Sequence, residues 1–193
     1  MNPAVGRTVL VVAALNLAYF GVEFAAALRI GSVSLLADSV DFLEDAAINI
    51  LIFVALGWSA RRRATLGMGL AALMLLPAAA LLWTLFQKLS GAVVPDPVTI
   101  TLVGAGALAI NFTCASLLVR HRKVQSNLIR AAYLSARNDV LANIAIIGAG
   151  LATYATHSIW PDIVVGLGIA ALNLDAAREV WEAARNERRT PVA

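Results

Sequence analysis

The sequence predicts an all-α integral membrane protein of six transmembrane helices, and three observations carry that prediction. Hydrophobic residues make up 60% of the 193-residue chain and charged residues 14%, where soluble domains run at about 45–50% and about 25%. The mean hydropathy is +0.79. The apolar residues also gather into six stretches, each near the ~20 residues that a ~30 Å hydrocarbon layer requires. The breaks between them are too short for a folded domain, so residues 1–193 read as a single transmembrane domain.

The first stretch, Thr8 to Leu28, carries Asn16 and Glu23 inside its apolar run, which argues against a cleavable signal peptide. The second, Val33 to Ala60, holds the acidic residues Asp38, Asp41, Glu44 and Asp45, and the third runs from Ala64 to Phe86. The fourth, Val98 to Val119, contains Cys114, the single cysteine. One sulfur makes neither an intrachain disulfide nor a thiolate metal cage, so Cys114 reads as a small buried hydrophobe. The fifth, Leu128 to Ala155, holds Ser135 and Asp139, and the sixth runs from Ile163 to Trp181. The breaks fall at Arg29-Ile30-Gly31, Arg61-Arg62-Arg63, Gly91 to Pro97, Arg120-His121-Arg122-Lys123 and His157 to Pro161. Gly67, Gly104 and Gly166 read as positions of close helix packing, and His121 and His157 as solvated loop residues.

Basic residues near the ends of the stretches set the expected orientation. Arg7, Arg61 to Arg63, Arg120, Arg122, Lys123, Arg130, Arg185, Arg188 and Arg189 fall on one side, against Arg29 and Lys88 on the other. Both termini are therefore expected in the cytoplasm. The same asymmetry accounts for most of the positive balance, a net charge of +3, so the basic residues are expected to face anionic lipid and not nucleic acid.

The chemistry concentrates where charge is least welcome. An ionisable side chain at the centre of a bilayer costs roughly 3 kcal/mol even on gentle insertion scales, so it is expected where it lines a polar pathway or binds something. On a helix, Asp41 and Asp45 lie one turn apart on one face and Asp38 extends the stripe; Ser135 and Asp139 repeat that spacing on the fifth stretch. At ~1.5 Å per residue, Asp45 lies ~18 Å into its span and Asp139 ~17 Å into its own from the opposite side, so both reach the midplane. Facing each other, the two pairs offer four side chains to a cation.

Here the residues resemble a known family. The run Gly31-Ser32-Val33-Ser34-Leu35-Leu36-Ala37-Asp38-Ser39-Val40-Asp41-Phe42-Leu43-Glu44-Asp45 is similar to the second span of the cation diffusion facilitators, with its Gly-Ser-x-Ser-Leu-x-Ala-Asp opening and His-or-Asp-x-x-x-Asp pair. Ala132-Tyr133-Leu134-Ser135-Ala136-Arg137-Asn138-Asp139-Val140-Leu141-Ala142-Asn143 resembles the fifth span, where the same pair usually completes a metal site, with Ser135 here in the place of the first ligand. The resemblance runs through all six spans, Asn16 and Glu23 included. It implies a homodimeric, proton-coupled exporter of divalent metal ions working by alternating access in a bacterial inner (plasma) membrane. It implies a metal set of Asp41, Asp45, Ser135 and Asp139, enclosed by the first, second, fourth and fifth spans. The family usually adds a cytoplasmic C-terminal domain, so the chain reads as a minimal member.

Three carboxylates and a hydroxyl are a harder donor set than one containing imidazole, which makes manganese, cobalt or iron candidates beside zinc as the transported ion. No resident cofactor is expected. Ser135 keeps two readings, a ligand or a hydroxyl bonded to the carbonyl one turn back, and Asn138 is equally open. Glu23, Asp38, Glu44, Arg137 and Asn138 are expected to support the site or to line the proton path. Arg137 projects about 160° from Ser135, toward a carboxylate it would neutralise. Two other functions compete: a non-transporting relative with the same fold, which the loss of a ligand at Ser135 keeps open, and a metal-dependent lipid phosphotransferase. The second lacks its motif, since no Asp-Gly precedes the acidic stripe and Ala37 stands where that motif has glycine.

Overall fold

A computed structural model describes residues 3–54, 66, 78–91, 93–119 and 127–172, with side chains from Val5 in the first of these segments and from Ala136 in the last. The described residues form six helical segments and no strand: α1 (Pro3–Ile30), α2 (Val33–Val54), α3 (78–90), α4 (Pro97–Val119), α5 (Asn127–Thr156) and α6 (Trp160–Leu172). The basic runs Arg61 to Arg63 and Arg120 to Lys123, Gly67, His121 and the tail arginines lie outside the described residues, as does the side chain of Arg130.

Local chemistry explains the breaks. Gly31 takes φ 65°, and the Ser32 N–H reaches back to the Ala27 carbonyl at 3.1 Å, a helix ending that glycine adopts without a side-chain clash. Ser32 then caps the next helix, its hydroxyl accepting from the Leu35 N–H at 3.2 Å. One residue thus closes α1 and opens α2, and the expected break shrinks to Gly31-Ser32. At the start of α4, Asp96 accepts from the Thr99 N–H at 2.8 Å and from the Thr99 hydroxyl, while Pro97 fills the first helical position, where no N–H is needed. Those Thr99 donors hold the Asp96 carboxyl below its ordinary range. His157 ends α5 at φ 51° and is exposed, as expected. The third helix continues to residue 90, past the expected end at Phe86, and the sixth begins at Trp160, ahead of Ile163.

Among the described residues, three helices are long and apolar enough to cross a membrane by length and composition: Val5–Ile30, Pro97–Val119 and Ala136–Thr156. Val33–Val54 is of similar length but carries Asp38, Asp41, Glu44 and Asp45, and helices with so many charges cross only when these face protein or a polar cavity. Helix α1 packs along α2, α4 along α5, α1 against α4 and α2 against α5, closing a ring of four. Large apolar side chains such as Leu102, Phe112, Leu141, Tyr154 and Val164 point outward, the arrangement a lipid solvent stabilises.

Inside the bundle the order is inverted. One apolar cluster, with Ala27, Val33, Leu36, Ile100 and Ile163, fills the end near the α1–α2 turn, and another, with Val5, Val9, Ile52, Cys114 and Leu118, fills the opposite end. Between them lies a buried polar seam of Asn16, Glu23, Asp38, Asp45, Asn111 and Asn143. Cys114 is fully buried and apolar-packed, as its position suggested. Small residues let the ring close: a Cβ on Gly104 would come within 2.9 Å of Ile146, and one on Gly166 within 2.7 Å of the backbone at Val33 and Ser34.

Candidate functional site

The second and fifth spans pack against each other in the bundle. Asp45 and Asp139 each lie ~18 Å from the start of their helices, at Val33 and Asn127, at ~1.5 Å per residue. Asp45 is 5% exposed, Asp139 is partly buried, and the two carboxyls lie within hydrogen-bonding reach of each other. Asp41 is partly buried, and Asp139 is the acidic group whose charge acts on it most strongly. Two carboxylates this close do not both remain charged without a proton or a cation between them. Among the described residues, no three His, Cys, Asp or Glu side chains are drawn tightly enough together to hold a metal ion.

The other expected residues divide. Asp38 and Glu23 are both fully buried and face each other across α1 and α2, within hydrogen-bonding reach. Glu44 is partly buried at the edge of the stripe. Arg137 and Asn138 are exposed, and the described ion pair, Lys88 with Asp162, involves neither. On α5, Arg137 follows Ala136, which packs inward, so the helical rotation carries it toward the outside of the bundle. Ser135 lies on α5 one turn before Asp139, and its side chain falls outside the described residues.

A second polar centre went unread in the sequence. The Asp162 carboxylate accepts from the Ser32 hydroxyl at 2.6 Å, the Ser34 hydroxyl at 2.6 Å, the Val33 N–H at 2.9 Å and the Ser34 N–H at 3.1 Å, while Lys88 closes on it at 2.6 Å. All of these residues are buried. An anion at the first N–H groups of α2 is where the backbone dipoles favour one, and the cluster binds α6 and α3 to that end. It also gives a physical role to the two serines of the Gly31 to Leu35 run. The signal was present, an aspartate directly after Pro161 at the head of an apolar stretch, but its partners are distant in sequence.

These features define a class first: a polytopic helical membrane protein with acidic faces at mid-depth of an apolar bundle. The cation efflux transmembrane domain matches residues 9–186. The chain is similar to the cation-efflux pump FieF of Salmonella typhi, 35% identical over 172 residues, which is 81% of this chain and 56% of that protein. It is also similar to FieF of Salmonella arizonae, 32% identical over 206 residues covering 96% of this chain and 68% of the relative. FieF of Salmonella newport is 33% identical over 172 residues. The chain thus spans between 56% and 68% of the length of these relatives. It belongs to the cation efflux family, as an integral membrane protein of the bacterial inner membrane.

Proposed function

We propose that this chain exports divalent metal cations in exchange for protons, holding the ion between the Asp41–Asp45 face of α2 and the Asp139 face of α5. The observation that carries the reading is the approach of the buried Asp45 and the partly buried Asp139, two acidic groups from different helices within hydrogen-bonding reach. Membership of the cation efflux family supports transport over phosphotransfer chemistry, and the relatives are cation-efflux pumps.

The coupling follows from ligand chemistry. A carboxylate oxygen binds either a proton or a metal ion, so loading the cation expels protons and returning protons release it. Asp41 joins when the ion draws it toward the pair, and Ser135 offers a fourth oxygen from one turn below Asp139. Oxygen donors admit manganese, cobalt or iron beside zinc. Both termini lie in the cytoplasm, and the working unit is a homodimer.

The test is metal flux in sealed liposomes containing this chain alone, with Asp45→Asn and Asp139→Asn each compared with the parent at matched protein levels. Parent flux above empty liposomes, and loss of at least ~10-fold in each variant, is the expected result, since each removes a charged ligand worth more than ~1.4 kcal/mol. Parent liposomes indistinguishable from empty ones would leave a non-transporting relative as the reading.

A further inference from the structure

The polar seam continues past the Asp45–Asp139 pair toward the α1–α2 turn. About two helical turns along α2 from Asp45, Asp38 meets Glu23 of α1, both with 0% exposure. Neither Glu23 oxygen meets a hydrogen-bond donor, and neither does Asp38 Oδ1. The side chains around them explain why. Asn143 of α5 donates to Asp38 Oδ2 at 2.7 Å, and its own Oδ1 accepts from Asn111 Nδ2 of α4 at 3.1 Å. That relay points each amide N–H₂ at an acceptor and leaves Asn111 Oδ1 buried without a donor. The nearby Tyr19 hydroxyl donates to the Val103 carbonyl at 2.6 Å.

The open valences of the Glu23–Asp38 pair and of the asparagine relay that reaches it are acceptors: both Glu23 oxygens, Asp38 Oδ1 and Asn111 Oδ1. A structural carboxylate in this molecule looks different, because Asp162 is surrounded by donors and a lysine. Unsatisfied oxygens in an apolar interior cost several kcal/mol unless something positive fills the space between them. Two oxygens held at right angles on an ion with ~2.1 Å bonds lie about 3 Å apart, a separation that two carboxyls within hydrogen-bonding reach can supply.

We propose that Glu23 and Asp38, with the Asn111 carbonyl oxygen, form a second divalent-cation station, which the ion occupies between the Asp45–Asp139 pair and the α1–α2 turn. The proposal rests on the export reading above. All-oxygen donors without sulfur or imidazole make it a station for hard ions of the manganese type. Asp38 and Asp45 are seven residues apart on α2, about 10 Å at ~1.5 Å per residue, close enough in a low-dielectric interior for an ion arriving at one station to weaken the hold of the other by charge repulsion, so release does not require a loose site.

The experiment is manganese binding to the purified full chain in lipid nanodiscs, read from the loss of the free-ion paramagnetic resonance signal. The expected stoichiometry is about two ions per chain for the parent, and about one in Glu23→Gln, in Asp38→Asn and, separately, in the double variant Asp45→Asn/Asp139→Asn, because each change strips anionic oxygens from one station. The two single variants are near-isosteric and touch opposite helices, so either carries the test if the other fails to fold. A parent that binds a single ion lost in the Asp45/Asp139 variant overturns the second station and leaves the export site standing. Unchanged stoichiometry in both Glu23→Gln and Asp38→Asn also overturns it, and altered pH dependence of flux in those variants would then mark the pair as a proton carrier. Loss of binding in the Glu23 and Asp38 variants with none in the Asp45/Asp139 variant would instead remove the export site as read.

Discussion

Asp162 and Glu23 show how little a residue's type says about its task. Asp162 sits among hydroxyls, backbone N–H groups and Lys88, all donors, and its charge is spent inside the protein. Glu23 has no donor on either oxygen. Removing one partner of a buried ion pair typically costs 3–5 kcal/mol, because the other charge stays behind. Lys88→Met should therefore lower thermal stability in detergent by at least ~3 kcal/mol, and Lys88→Met combined with Asp162→Asn should recover part of it. A single variant as stable as the parent in a melting experiment would make the pair a bystander. At Ser135, a change to His would place an imidazole one turn from Asp139 and turn an all-oxygen donor set into a mixed one, which suits zinc. Competitive uptake of zinc and manganese should shift toward zinc by ~10-fold; an unchanged ratio would mean that residue 135 does not touch the ion.

Among the elements, α2 carries the most conflicting demands. Its acidic stripe opposes membrane insertion, so its position depends on what holds its ends and faces. Ser32 and the Asp162 carboxylate satisfy its first N–H groups, and Gly166 of α6 lets that helix lie directly on the same backbone. A larger side chain there meets main chain, which cannot swing aside. Gly166→Leu should push α6 off α2 and cost about 1–3 kcal/mol, the range for overpacking, read as a lower melting temperature. Gly148, with nothing within 4 Å of an added Cβ, is the control, and Gly148→Ala should melt like the parent. Asp96 offers a check at the water-exposed end of α4. Its carboxyl is held low in the folded chain by Thr99, so its capping contribution is present above the ordinary carboxylate pKa and is lost as pH falls through the lowered value.

For the whole molecule, the arrangement of two apolar clusters around a polar middle has a mechanical meaning. Under the export reading, loosening one cluster at a time would open the seam to one side and not the other. If the ion and the protons share the carboxylates, a proton gradient directed opposite to metal export should raise the metal flux, and collapsing it with an ionophore should return the flux to its gradient-free value. Flux in sealed vesicles that ignores both the gradient and the ionophore would separate metal transport from proton movement.

Composition and spacing alone determined that the chain lies in a membrane, that it is helical, and that Asp41 and Asp45 share one helix face. Those properties follow from solvent and from the 3.6-residue repeat, which act on a segment without reference to its neighbours. The helix ends were legible to within a few residues, because Gly31, Pro97 and His157 act locally. Which acidic residues meet each other was decided only by tertiary structure. Glu23 with Asp38, Asp45 with Asp139 and Lys88 with Asp162 are pairs between helices, and the rotation of each helix about its axis is set by packing at positions such as Gly104 and Gly166. That rotation is also what sends Arg137 outward while Asp139 stays at the seam. The sequence shows a charge in the membrane, but whether it is answered from within the protein or left open to an ion depends on which donors the fold places around it.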